Sequence, residues 1–423
     1  MSFLKMKDSI GMLWFTGGIV MHEKKLKELR HLVAAMNRSM QMGAAYLIRR
    51  LAPNGPIMRE PHLSYVHKAV WGMYAAGVDH DVLWRVLDWV EETAFQSNGD
   101  FFFPREDPEY RITQRVYRPL TFGKVAIWIG HPLFTNPRVV RRILQYQHEA
   151  SGGVFHYIGE DPENVEEPPT IGTLNTTFFG QLMLALNRKR EAIRVGEWIR
   201  RFVNANEESI ARDGVMYTWM TPDDTLVTQI PRGAKITSLV NNADPKQEFW
   251  QVGTCMAYLC RLYEAMRERW GYSAPEAQPV LDGALTLLDY EATMPVDTYR
   301  WPSKCKVGWG AGELLRVLTK YEAALTRQME TAYRIAAKVA MFTFLDNQLP
   351  TGGWACMHYP LADGIPELAF DYKPRNGRAT VPETPIPGSK TVFLPAEEIT
   401  GEFLGEMKAI ELGVHSYMRA LMK

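Results

Sequence analysis

The sequence predicts an all-α protein in which six inner and six outer helices alternate and close into a ring. Helical spacing of apolar residues dominates the 423-residue chain, whereas the alternation typical of strands is scarce. Six predicted helices also carry a glycine after an aromatic or aliphatic residue, and several breaks that lead into these helices contain glycine and aromatic residues. The six glycines are Gly72, Gly123, Gly180, Gly253, Gly310 and Gly405.

The glycine-bearing helices are predicted to be the inner ones. Glycine in a helix interior is less favourable than alanine by about 1 kcal/mol, so its recurrence requires a packing reason. We expect that the inner helices approach one another closely and that the missing side chain allows this approach. They are predicted at residues 61–76, 116–130, 173–187, 246–267, 306–323 and 398–421.

The outer helices are predicted between the inner ones. Their charged residues interleave with apolar positions, as in helices with one solvated face, whereas the inner helices are poorer in charge. Asn136 and Pro137 are of the residue types preferred at the N-cap and the first position of a helix. The outer helices are predicted at residues 25–51, 80–96, 136–150, 189–209, 275–293 and 326–346.

Two long segments interrupt this alternation in what we predict to be one domain spanning residues 1–423. Residues 213–245 are predicted to form a hairpin or a lid. Residues 355–397, which are rich in proline and glycine, are predicted to form a capping loop. Because each segment precedes an inner helix, we expect both to lie over the same mouth of the ring.

The composition of the chain limits the kinds of partner that it is expected to bind. Lys and Arg together number 48, as do Asp and Glu, so the zero net charge predicts no general attraction to nucleic acid or anionic lipid. Four cysteines are too few for a disulfide framework in a chain of this size, which favours a reduced, cytoplasmic setting. No stretch approaches the ~20 apolar residues of a membrane span. The expected partner is a small-molecule substrate, and homo-oligomerisation is left open.

One motif connects the chain to a known superfamily. Gln348-Leu-Pro-Thr-Gly352-Gly353-Trp354 matches the Q-x-x-x-G-x-W pattern at the turn from an outer to an inner helix. The chain therefore resembles the α/α-toroid proteins, which include terpenoid cyclases and the β subunits of protein prenyltransferases. This resemblance implies an (α/α)6 toroid, although the D-x-D-D and D-D-x-x-D motifs of the cyclases are absent. Six-hairpin glycosidases, sugar epimerases and dehydratase–isomerases of small terpenoid alcohols use the same ring, so the ring does not fix the function.

The inner glycines also predict a site at the mouth of the ring. Counting back five residues from each glycine reaches one level near the start of each inner helix, and most of the residues there are polar. This level would form a polar ring above an apolar floor, although the first turns of helices are often polar without any function. The six residues are His67, Arg118, Asn175, Gln247, Cys305 and Thr400.

The catalytic candidates are mainly carboxylates near this level. Glu313 follows the start of an inner helix and lies among leucines, so we expect desolvation to keep it partly protonated, as a general acid requires. The alternative for Glu313 is a buried salt bridge to a helix neighbour such as Arg316 or to a facing lysine. Glu248, beside Trp250, is the second carboxylate candidate. The remaining catalytic candidates are His67, Cys305 and Asp297.

The predicted substrate-binding residues are mostly aromatic, with a few polar residues of the mouth. No metal and no cofactor are expected. The alternative is a zinc site of Cys305, Cys356 and His358, for which the C-x-H spacing is a weak signal. The substrate-binding candidates are Tyr65, Trp71, Arg118, Asn175, Phe178, Trp250, Tyr299, Trp309, Trp354 and His358.

These features predict a cofactor-independent acid–base enzyme. The main hypothesis is a cyclase, isomerase or dehydratase/hydratase, a lyase or isomerase in class, that acts on a small, largely apolar terpenoid-like substrate. The alternative is a carbohydrate-active enzyme, either a glycoside hydrolase or a sugar epimerase. A zinc-dependent toroid enzyme and a non-enzymatic helical scaffold are further alternatives. An enclosed apolar pocket would favour the main hypothesis, an open polar groove the carbohydrate enzyme, and a ring plugged by its own side chains the scaffold.

Overall fold

The described part of the chain contains twelve α-helices, which alternate between an outer and an inner layer. They are α1 (Phe3–Ile48), α2 (His67–Ala75), α3 (His80–Ala94), α4 (Tyr117–Ile129), α5 (Pro137–Leu144), α6 (Thr173–Ala185), α7 (Lys189–Asp213), α8 (Trp250–Glu268), α9 (Ala274–Ala292), α10 (Cys305–Tyr321), α11 (Thr326–Lys338) and α12 (Ala396–Leu421). The computed structural model describes residues 3–53, 55, 63–102, 116–155, 170–229, 239–244, 247, 249–354, 357–360, 391–394 and 396–422, with backbone alone for 3–22, 64 and the two segments 357–360 and 391–394.

The six even-numbered helices form the inner layer of a closed ring. Each of them contacts the next in chain order, and α12 returns to contact α2. The odd-numbered helices lie outside, and the first of them, α1, packs against the last inner helix, α12. The predicted all-α (α/α)6 fold is confirmed. No helix in the described ranges is both long and apolar enough to cross a membrane.

Local sequence signals set several helix ends. The Asn136 side chain accepts a hydrogen bond from the Arg138 amide at 3.0 Å, with Pro137 in the first turn, as predicted for α5. Ser273 and Glu276 form a capping box at the start of α9. Helix α7 ends at Gly214, whose φ of 68° is left-handed and therefore suits glycine.

The inner glycines mark places where neighbouring helices touch. A Cβ atom on Gly72 of α2 would collide with the backbone of Gly401 in α12, and one on Gly253 of α8 would collide with the Lys306 carbonyl group in α10. The expected crowding is therefore present. Gly123 differs from the others, because the aromatic ring that crowds it belongs to Phe134 in the connection after α4.

Short strands lead into three of the inner helices. Strand β1 (Ile171–Gly172), before α6, pairs antiparallel with β3 (Trp219–Met220), and β2 (Val215–Tyr217) pairs antiparallel with β4 (Leu239–Asn241), which precedes α8. A further antiparallel pair, β5 (Met357–Pro360) and β6 (Thr391–Leu394), precedes α12. Five of the six strands in the described ranges thus belong to the two long segments, and these segments enter the ring at the N-terminal ends of inner helices.

The middle of the ring is filled by aromatic rings around one lysine. The rings of Trp71, Phe178 and Trp309 contact one another with centroids 5.3 to 6.3 Å apart. The Lys124 ammonium group lies 4.5 to 5.6 Å from all three ring centroids and donates a hydrogen bond to Gln181 Oε1 at 2.9 Å. Cation–π attraction offsets part of the cost of burying this charge, although burial still lowers the pKa of Lys124 well below its ordinary value. This aromatic centre separates the two ends of the ring.

Candidate functional site

The residues predicted to form a polar level at the mouth are all buried near the N-terminal ends of the inner helices. Each of the six side chains is at most 5% exposed. His67 and Cys305 are the first residues of α2 and α10. Thr400 accepts a hydrogen bond from the Trp354 amide at 3.1 Å, and Gln247 accepts one from the Asn241 amide at 2.8 Å. Part of this polarity therefore holds the loops in place.

Three carboxyl groups that the sequence prediction missed lie beside this level. Glu398, Glu402 and Glu406 are spaced four residues apart on α12, so they share one helix face, and all three are buried. They meet the first-turn side chains of α2 and α10. We call the following residues the mouth cluster: His67, Lys68, Lys306, Glu398, Glu402 and Glu406.

Glu402 is the best paired of the three carboxylates. Lys68 Nζ donates to its Oε2 atom at 2.6 Å, and Lys306 forms an ion pair with its Oε1 atom. The two lysines come from the helices on either side of α12. Because every partner is buried, these contacts are little screened by solvent, and Glu402 joins α2, α10 and α12.

Glu398 and Glu406 are paired less completely. Lys68 Nζ lies 2.8 Å from Glu398 Oε1, and Lys306 Nζ lies 3.5 Å from Glu406 Oε1. Nevertheless, none of the four carboxyl oxygens has hydrogen-bond geometry with a residue in the described ranges. Burial raises the pKa of Glu406 and lowers that of Lys306, so both groups are pushed toward their neutral forms.

His67 presents one ring nitrogen to Glu398. Its Nδ1 atom lies 3.0 Å from the Leu63 carbonyl oxygen, which only accepts, so Nδ1 carries a hydrogen. Its Nε2 atom lies 3.4 Å from Glu398 Oε1. The Tyr117 ring packs edge-on against the imidazole with a centroid distance of 5.6 Å. These contacts fix the imidazole plane next to the carboxyl group.

The mouth cluster carries a net negative charge when its carboxyl and ammonium groups are all ionised. It contains three carboxyl groups and two ammonium groups, so one negative charge is left when all five are ionised. A single proton on the His67 imidazole or on Glu406 removes this imbalance. A buried group of acids and bases that shares one proton can accept and return protons, which is the requirement for acid–base catalysis.

Cys305 borders the mouth cluster as a neutral thiol. Its Sγ atom lies 3.9 Å from Glu402 Oε1, and burial raises the pKa of the thiol well above its ordinary value. Ligand atoms of Cys305, Glu402 and Glu406 are close enough to surround a metal ion, but the Lys306 ammonium group pairs with both carboxylates there. The zinc alternative is not tested, because Cys356 lies outside the described residues and only the backbone of His358 is described.

The expectation that Glu313 is partly protonated is wrong. Arg261 Nη2 lies 2.6 Å from its Oε1 atom and Arg316 Nη2 lies 3.0 Å from its Oε2 atom. Burial would raise the pKa of Glu313, but these two positive charges outweigh burial and lower it to about 2. At neutral pH the side chain is a carboxylate and cannot act as a general acid. The alternative of a salt bridge to Arg316 is confirmed.

The other two carboxylate candidates are Glu248 and Asp297. Glu248 lies outside the described residues. Asp297 is exposed in a short 3-10 helix, Val296–Arg300, and its catalytic role stays a prediction.

Most of the predicted aromatic binding residues pack within the ring wall. Trp354 is buried and donates to the Phe344 carbonyl oxygen at 3.0 Å, and Tyr299 is buried next to the ammonium group of Lys304. Tyr65 and Trp250 are half-buried. Trp71, Phe178 and Trp309 enclose Lys124 in place of an open cavity, whereas Arg118 and Asn175 are buried at the mouth.

A pocket of about 500 Å³ lies at the opposite end of the ring. It is partly open to solvent and is lined by the second halves of α4, α6, α8, α10 and α12. We call it the distal pocket. Its lining mixes apolar and charged residues, and the charged ones are Arg261, Arg269, Arg316, Glu264, Glu268 and Glu313.

The fold is shared with enzymes that act on sugars. No protein-family model and no curated protein matches the chain. D-mannose isomerase is similar in structure, with a TM-score of 0.55 and 12% identity over 89% of this chain and 96% of that one. An α-1,6-mannanase of Salegentibacter (TM-score 0.48, 11% identity, 89% and 99% covered) and an unsaturated glucuronyl hydrolase specific for heparin (0.47, 9%, 89% and 97%) are also similar.

These findings correct the predicted function. The resemblance to α/α toroids is supported at the level of the fold, but not its terpenoid-cyclase branch, since the similar structure with a TM-score above 0.5 is a D-mannose isomerase. The prediction of an apolar, terpenoid-like substrate is therefore wrong.

Proposed function

We propose that the chain is a carbohydrate-active (α/α)6 enzyme that moves a proton on a small sugar, as an aldose–ketose isomerase or a sugar epimerase. The observation that carries this proposal is Glu398, a buried carboxyl group next to an imidazole and an ammonium group, whose oxygens accept no hydrogen bond of good geometry in the described ranges. Buried polar atoms are rarely left in this state without a functional reason. The shared fold with D-mannose isomerase supports the choice of substrate class.

Glu398 has the surroundings of a general base. In the proposed reaction, its carboxylate takes the proton from the carbon next to the sugar carbonyl, and the electrons of that C–H bond form the C1–C2 double bond of an enediolate. Return of the proton to C1, together with transfer of the O2 hydroxyl proton to O1, gives the ketose, and return to C2 on the other face gives the epimer. The Lys68 ammonium group, 2.8 Å from Glu398, stabilises negative charge at this position.

His67 assists as the second proton carrier. Its Nδ1–H group is held by the Leu63 carbonyl, so Nε2 is the nitrogen that exchanges a proton with Glu398 at 3.4 Å. Glu402 holds Lys68 in place through its 2.6 Å hydrogen bond. The arrangement uses only side chains of this chain and consumes no co-reactant, because isomerisation and epimerisation relocate a proton without net oxidation.

The same geometry argues against glycoside hydrolysis. Hydrolases place two carboxyl groups on opposite sides of the scissile bond, ~5–9.5 Å apart, with one protonated. The carboxyl groups of the mouth cluster instead stand in a row on α12, and the middle one, Glu402, is held by two lysines. Proton transfer within one cluster therefore fits better than attack across a glycosidic bond.

The proposal is tested by incubating the protein with a panel of aldohexoses and ketohexoses and separating the products by chromatography. The expected result is interconversion of at least one pair, reduced at least ~100-fold in Glu398→Gln. Glu411→Gln is the matched control, since Glu411 is a buried carboxylate on the same helix that pairs with Lys408 away from the mouth. Wild-type protein that converts no sugar, or equal rates in the two variants, would refute the proposal.

A further inference from the structure

We propose that the distal pocket is a second sugar-binding site that takes a neutral mono- or disaccharide. It lies at the end of the ring opposite the mouth cluster, with the aromatic centre of Trp71, Phe178, Trp309 and Lys124 between them. A ligand in the distal pocket therefore does not reach Glu398. The inference concerns binding and needs no residue of the mouth cluster.

The surroundings of Gln181 indicate a ligand with hydrogen-bond acceptors. Gln181 lines the pocket and is only 2% exposed. Its Oε1 atom accepts a hydrogen bond from Lys124 Nζ at 2.9 Å and faces Arg261 Nη1 at 3.4 Å. Because both neighbours are donors, they fix the orientation of the amide, and Nε2 makes no hydrogen bond within the described part of the chain. A buried N–H group at a pocket wall is satisfied when a ligand brings an acceptor to it.

The charges of the pocket favour a neutral ligand. The three arginines and three glutamates of its lining cancel. Four of the six are also paired with one another, since Arg261 and Arg316 both bind Glu313, and Arg316 binds Glu264 as well. Arg269 instead donates to the Leu184 carbonyl oxygen, and Glu268 pairs with Lys320. An ion of either sign that bound to the four paired residues would have to break such pairs. Hydroxyl groups both donate and accept, so they can bond to carboxylate and guanidinium groups at the edges of these pairs.

Trp128 supplies a flat apolar face at the rim. It lines the pocket, is 36% exposed, and is held from behind by the Tyr74 ring at a centroid distance of 5.2 Å. Leu412 is exposed at the same rim. An exposed indole beside charged side chains matches the two sides of a pyranose ring, whose C–H face is apolar while its hydroxyls are polar. The volume of about 500 Å³ falls within the range of small-molecule sites.

Titration calorimetry with methyl α-D-mannopyranoside and methyl β-D-glucopyranoside tests this inference. These probes are blocked at the anomeric carbon, so they bind without being isomerised. We expect Trp128→Ala to weaken binding at least ~10-fold, because the stacking face is lost. Trp84→Ala is the matched control, as Trp84 is also 36% exposed and lies on α3 against His131. It should leave binding unchanged, as should Glu398→Gln.

Three results would overturn the inference: no binding of either glycoside, equal loss of affinity in Trp128→Ala and Trp84→Ala, or loss in Glu398→Gln, which would place the glycoside at the mouth. Tighter binding of glucuronate than of the neutral glucoside would overturn the neutral class. Trp128-dependent binding without conversion of any sugar leaves this inference standing and refutes the proposed function. Sugar conversion that depends on Glu398, without Trp128-dependent binding, supports the proposed function and refutes this inference.

Discussion

Gly401 of α12 lies against the main chain of Lys68 in α2, so closely that a Cβ atom at position 401 would overlap the Lys68 carbonyl group. The next residue along α12, Glu402, accepts a hydrogen bond from the Lys68 ammonium group at 2.6 Å. The missing side chain of Gly401 therefore brings together the two helices whose charged groups form the mouth cluster. In this ring, close helix packing and site geometry depend on the same contact.

Gly401→Ala should destabilise the fold by about 1–3 kcal/mol, because the added methyl group meets backbone atoms that cannot move aside as a side chain can. Urea unfolding followed by circular dichroism measures this change. Gly283→Ala is the control, since its nearest neighbours are the side-chain atoms Leu259 Cδ1 at 3.2 Å and Arg200 Cγ at 3.7 Å. It should be neutral or mildly stabilising. A Gly401→Ala protein as stable as wild type would contradict the packing argument.

Lys68→Met should destabilise the protein by about 3–5 kcal/mol, because it leaves buried carboxylates without their partner. Adding Glu402→Gln should restore part of this loss by removing one of those charges. Lys320→Met removes an ammonium group from a half-exposed pair with Glu268 and should cost less than about 1 kcal/mol. If Lys68→Met and Lys320→Met lower the free energy of unfolding by the same amount, the result contradicts a buried charge network.

Glu313 predicts a specific pH dependence of stability. Its pKa in the folded protein is about 2, below the ordinary 4.5, so its ion pairs stabilise the fold above about pH 4.5 and this contribution is lost as the pH falls toward 2. A difference of this size corresponds to about 3 kcal/mol. The gap in unfolding free energy between wild type and Glu313→Gln should therefore be wide at pH 6 and narrow at pH 3. A gap that does not change with pH would show that the carboxylate charge is not the stabilising element.

The sequence predicted the alternation of helices better than it predicted helix ends. Helix α6, predicted at 173–187, spans Thr173–Ala185, so its start is as predicted and its end lies two residues earlier. Helix α5 was predicted to reach residue 150 but ends at Leu144. The reason is a turn, in which Gln147 pairs with Val154 and the His148 amide bonds to the Gly153 carbonyl. Such pairing competes with the helix and is not visible in the helical periodicity.

The sequence predicted only part of the site, because contacts between different helices are not visible in it. Counting back from the glycines found His67 and Cys305, because the inner helices share one register at the mouth. It missed Glu398 and Glu406, which lie above and below that level on α12 and matter only through partners on other helices. The protonation of Glu313 was mispredicted because Arg261 reaches it from α8, while the neighbours along the sequence are leucines.

The most direct test of the central claim is the incorporation of deuterium from D2O into a hexose, followed by proton NMR at C2. If the mouth cluster transfers protons on a sugar, wild-type protein labels at least one aldohexose at C2, Glu398→Gln labels it at least ~100-fold more slowly, and Glu411→Gln labels it normally. Absence of labelling by wild-type protein across the hexose panel, or labelling by Glu398→Gln at the wild-type rate, would contradict the account.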